Sequence, residues 1–86
     1  MKKMKELWIS VLVFDQENKD LRGHLAQEHP TMNFEEGAGG IKVTPKDKNG
    51  YIPSKEARKI LARVARQYGE LYDGSSPHIN EFRQYE

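Results

Sequence analysis

Leu7-Trp8-Ile9-Ser10-Val11-Leu12-Val13-Phe14 is the segment that most narrows what this chain can become. It is dense in β-branched and aromatic residues, the composition of a strand. Read with a period of two, Leu7, Ile9, Val11 and Val13 share one face, and Trp8, Leu12 and Phe14 share the other, interrupted by Ser10. A strand apolar on both faces belongs inside a sheet, with each face covered by a helix or by a partner. The run is too short to cross a bilayer, which takes about 20 apolar residues. Asp15 and Glu17 follow it where a signal peptide would carry small residues for cleavage. Residues 1–6 therefore read as an exposed basic leader into a strand, and the expected location is the cytoplasm.

The cover comes from a later segment. Ser54 suits a helix N-cap and Glu56 complements the helix dipole in the first turn. Ala57, Ile60, Leu61, Val64, Tyr68 and Leu71 form an apolar stripe at helical spacing, with Gly74 or Gly69 as the stop. Upstream, Ile41-Lys42-Val43-Thr44 alternates like a half-exposed strand. Asn49-Gly50 signals a hairpin turn, with Tyr51-Ile52 pairing back until Pro53 ends the ladder. Thr31 to Gly40 reads as a loop or irregular strand. Residues 21–29 carry two readings. Leu21 and Leu25 at i, i+4 favour a short helix ending before Pro30, whereas a turn over Asp15–Asp20 would make them a return strand. Residues 75–86 read as a polar C-terminal tail anchored by Ile79, Phe82 and Tyr85. The sequence thus predicts one small α+β domain over residues 1–86. An antiparallel sheet carries one long C-terminal amphipathic helix, with a second short helix over 21–29 as the favoured option.

That architecture leaves a covering problem. One helix of about 17 residues is roughly 25 Å long and cannot shield both faces of a sheet. Either the chain forms a homodimer or binds a partner, or a helix over 21–29 takes the second face. With 86 residues the core is thin in any arrangement.

Charge is balanced overall, with 14 Lys and Arg against 13 Asp and Glu, but it is unevenly placed. Residues 41–68 hold Lys42, Lys46, Lys48, Lys55, Arg58, Lys59, Arg63 and Arg66 against Asp47 and Glu56. That is eight cations to two anions, a net +6, and the rest of the chain nets −5. Lys55, Lys59, Arg63 and Arg66 follow one another at i+4, i+4 and i+3 on the helix, away from its apolar stripe. A cationic row of this kind suits phosphates or an acidic protein surface. Solvated decoration with Glu56 and Glu70 as local partners is the plainer account.

Catalytic and metal-binding signals are weak. The chain has no cysteine, which removes disulfides, thiolate zinc sites and a Cys nucleophile together. His24 and His29 are five apart, which fits neither one helix face nor one strand face. Gly37-Ala38-Gly39-Gly40 precedes a strand rather than opening a helix, and Glu35-Glu36 would repel a phosphate; it reads as a turn needing positive φ. The serines sit in no nucleophile elbow. His78, Glu81, Arg83 and Tyr85 have the residue types of a small nuclease but fall in the tail, a poor place to preorganise catalysis. The sequence therefore points to a non-catalytic binding protein without cofactor or metal. Its size and composition are those of the inhibitors, adaptors and regulators among phage and mobile-element accessory proteins. The expected site is Lys55, Lys59, Arg63 and Arg66 with Lys46 and Lys48, facing a protein partner. The alternative is nucleic acid, held by the basic face of helix 55–71 and the 42–48 loop.

Overall fold

The apolar run that opens the chain divides in two: Met4–Ser10 is a strand, β1, and Val11 to Phe14 lead away from it into a helix. The computed structural model describes residues 2–37, 39–74 and 77–86. After β1 come α1 (Asp15–Glu28), β2 (Met32–Gly37), β3 (Gly40–Pro45), α2 (Ser54–Leu71) and β4 (Asn80–Tyr85). The strands form one four-stranded sheet in the order β2-β3-β1-β4, antiparallel at every joint. This chain path, two interleaved split β-α-β units, is the ferredoxin-like arrangement. The domain is α+β, as the sequence predicts.

Leu7 and Ile9 of β1 stand opposite Val43 and Ile41 of β3, so all four lie on one face of the sheet. They are fully buried there with Leu21 and Leu25 of α1, Ala57, Ile60 and Val64 of α2, and Ile52 of the connecting loop. Met4 rejoins this face because the β1–β4 register shifts between Met4 and Glu6. Gly40 lets β3 close on β1, since a Cβ there would collide with the carbonyl of Ile9. Asn18, buried within α1, donates to the Gly40 carbonyl at 3.3 Å and accepts from Arg22 Nε at 2.6 Å, so its burial leaves no polar atom unpaired.

Several expectations need correction. Residues 15–28 form one helix of 14 residues, longer than the short helix read over 21–29, and Asp15–Asp20 is its first half, exposed except around Asn18, rather than a turn. Residues 80–85 are the edge strand β4, so α2 is long but not last in the chain. Met4 to Glu6 belong to β1 rather than to a leader. Asn49-Gly50 closes no hairpin: Gly50 N–H returns to Asp47 O at 2.8 Å and Ile52 N–H donates to Met4 O at 2.8 Å. Pro53 stands where the helix begins, so the N-cap is Pro53 and not Ser54. The second helix also leaves the covering problem as it was. Both helices pack on the face built from Leu7, Ile9, Ile41 and Val43 and touch each other, and no described element lies on the Trp8 face.

Candidate functional site

The antiparallel registers give the sheet two ends. Met4, Met32, Pro45 and Tyr85 mark one; Ser10, Gly37, Gly40 and Asn80 mark the other. At the second end β1 stops, the chain turns into α1, and α2 arrives with its last turns. Leu12 is 84 % exposed there and Phe14 71 %. The alternation in the sequence predicts both on a covered strand face, but the strand ends at Ser10. With Val13, Tyr68 and Tyr72 they line an apolar hollow of about 200 Å³.

Glu17 organises this tip. It occupies the third position of α1, and its Oε2 accepts the Phe14 main-chain N–H at 3.1 Å, the reciprocal half of a capping box. The same oxygen accepts the Tyr72 hydroxyl at 2.6 Å, which ties the start of α1 to the end of α2. The hydrogen bond to Glu17, then burial, then the carboxylate's charge raise the Tyr72 phenol above its ordinary 10.0. Tyr68 packs on Tyr72 with ring centroids 4.5 Å apart. Main-chain and ring positions beside Phe14 are therefore fixed before any partner arrives. Asp15 and Glu17 in the first turn of α1 set two carboxylates beside Phe14, whereas Glu70, two positions from both Tyr68 and Tyr72, lies on the other side of α2.

The predicted basic site is divided. Lys55, Lys59 and Arg66 are exposed on α2, and Lys46 and Lys48 are exposed on the loop after β3. Arg63 is spent on structure: its Nε donates to Glu28 Oε1 at 2.8 Å, linking α2 to the end of α1, and its side chain is only 15 % exposed. Lys42 lies in β3 rather than in a loop and pairs with Glu6 at 3.3 Å. Lys55 and Lys59 border a shallow hollow of about 540 Å³ together with Glu28, His29 and Glu56, so its wall carries both signs of charge. His29 is buried there with Nδ1 2.9 Å from Glu56 Oε1. Lys46, Lys48, Lys55 and Lys59 thus lie toward the Met4–Tyr85 end, and Arg66 lies farther along α2 toward the Leu12–Phe14 end.

His24 is exposed on α1, away from the buried His29, and no cluster of three metal-ligating side chains occurs among the described residues. Gly39 has φ of 75° and turns the β2–β3 hairpin; Ala38 lies outside the described residues. Glu81, Arg83 and Tyr85 share one face of β4, where Arg83 Nε bonds Glu81 at 2.8 Å, while His78 is exposed outside the strand. The Trp8 ring lies across the uncovered sheet face, close enough to Gly37 that a Cβ there would strike it. No helix among the described residues is long and apolar enough to cross a membrane.

Comparison with protein-family models, with curated proteins and with solved structures returns no match. A ferredoxin-like path by itself carries no function, so the function rests on the surface of this chain.

Proposed function

We propose that this chain is a non-catalytic protein-binding module, an adaptor, inhibitor or regulator, and that its Leu12–Phe14 tip is the contact that holds the partner. The observation that carries the reading is a Leu and a Phe, each more than two-thirds exposed, side by side on a main chain that Glu17 fixes. Monomeric surfaces seldom present large apolar groups together, and binding anchors are large apolar or aromatic groups that lose little freedom on docking. The acidic pair beside Phe14 sets the chemistry of the partner: an apolar pocket bordered by Lys or Arg. It disfavours nucleic acid at this tip, because phosphates would meet Asp15 and Glu17. The exposed cations Lys46, Lys48, Lys55, Lys59 and Arg66 complete the charge-divided surface by orienting the approach.

The test is a paired capture from nuclease-treated lysate, followed by titration with the purified partner. A Leu12→Ser/Phe14→Ser variant that folds like the parent should lose a stoichiometric complex that a Lys46/Lys48/Lys55/Lys59→Glu variant retains. The opposite pattern, or salt-steep binding to a single-stranded oligonucleotide, assigns the function to the basic row and the nucleic-acid alternative.

A further inference from the structure

β4 closes one side of the sheet, and among the described residues nothing pairs with its outer edge. Such an edge is a template for another strand, and proteins ordinarily blunt it with Lys, Pro, a bulge or a cover. Asn80–Tyr85 contains neither Lys nor Pro, and the register shift in its ladder falls on β1, between Met4 and Glu6. We infer that β4 pairs antiparallel with β4 of a second copy about a two-fold axis through Phe82, joining two sheets into one.

The backbone restricts the register. Glu86 N–H donates to Lys3 O at 2.9 Å, so Gln84, Phe82 and Asn80, in step with Glu86, turn their main-chain groups toward β1. Glu81, Arg83 and Tyr85 turn theirs outward. An antiparallel neighbour must set outward residues against outward residues, so the axis passes through a residue, and Glu81, Phe82 and Arg83 are the central choices. An axis through Glu81 opposes two carboxylates, and one through Arg83 opposes two guanidinium groups. An axis through Phe82 sets each Glu81 against Arg83 of the other copy, Asn80 against Gln84 and Ile79 against Tyr85. Only this register is complementary to itself. Glu81 and Arg83, already 2.8 Å apart within one strand, exchange partners across the joint. Phe82, 57 % exposed in the single chain, then meets its own copy at the close spacing of a non-hydrogen-bonded pair. Because Phe82 stands opposite Trp8, an aromatic row crosses the joint on the uncovered face.

The other edge does not offer this. β2 carries Glu35-Glu36, so self-pairing centred there sets like charge against like, and α1 packs against it. Antiparallel pairing through β4 points the two Leu12–Phe14 tips to opposite ends of the joined sheet. The dimer stands independently of what the tips bind.

Sedimentation velocity from micromolar to millimolar protein tests the inference. The parent chain should dimerise, and Glu81→Arg and Arg83→Glu should each weaken self-association by about tenfold or more, since two attractive pairs become two repulsive ones. Mixing the two single variants should restore association as a heterodimer, and the double charge swap should restore the homodimer. Circular dichroism checks each variant for folding, and the restored mixture checks it a second time. A parent that stays monomeric to millimolar concentration overturns the inference. So do single variants that self-associate like the parent, or a mixture that stays apart.

Discussion

Glu17 is the residue on which the tip depends. One carboxylate oxygen receives both the Phe14 N–H and the Tyr72 hydroxyl, so a single side chain caps α1 and fastens α2 to it. Glu17→Ala should cost about 1 kcal/mol as a lost cap, and it should loosen Phe14 and Tyr72 together. Hydrogen exchange that speeds up at Phe14 and along the last turn of α2, with the β1–β3 ladder unchanged, is the expected readout. Exchange unchanged at either segment would show that Glu17 does not join them. Tyr72 adds a pH dependence whose sign is fixed by its raised value. A phenol held above its unfolded value stabilises the fold while protonated. The contribution is whole below the ordinary 10.0 and is lost as pH rises through the folded value. Tyrosinate absorbance should therefore show one tyrosine lagging the others, and Tyr72→Phe should remove that laggard.

At the scale of elements, legibility followed amphipathicity. α2 was readable because Ala57, Ile60 and Val64 repeat on one face among charged residues, and those positions are buried. Leu61, though apolar, sits at the stripe's margin and is half-buried, so Ile60→Ala should destabilise by about 2–5 kcal/mol and Leu61→Ala by distinctly less. Denaturant midpoints that fall equally would place the stripe's centre between them. α1 was half hidden because its buried positions are Asn18, Leu21 and Leu25. An amide satisfied by Gly40 and Arg22 occupies the place where a pattern reading looks for an apolar residue. β4 was missed for a related reason: as an edge strand with Phe82 as its single strongly apolar residue, it buries too little to imprint alternation. The tip was missed because Val11-Leu12-Val13-Phe14 continues the strand's composition after the strand has ended. Only Asp15 and Glu17, suited to a first helical turn, marked the boundary.

For the molecule as a whole, the division of charge was legible and its use was not. Adjacent positions in a cationic row look alike in sequence, yet Arg63 is bonded to Glu28 while Lys55 and Lys59 face solvent. Reversal should separate these roles. Lys46, Lys48, Lys55 and Lys59 enter no ion pair among the described residues, so changing all four to Glu should leave the fold intact, within the roughly 0–1 kcal/mol of exposed charges. Arg63→Glu alone should lower the melting temperature more than the four together, because it sets a carboxylate against Glu28 between the two helices. Added salt should recover part of that loss. The same four substitutions should act on binding through the rate of encounter. A partner steered by the cationic end arrives more slowly, and salt speeds rather than slows its arrival, once that end is acidic, whereas its residence time is set at the Leu12–Phe14 tip. Stopped-flow association and dissociation rates measured on one purified partner decide between them. Slower association at unchanged dissociation assigns steering to the row, and faster dissociation at unchanged association would make the row part of the contact itself.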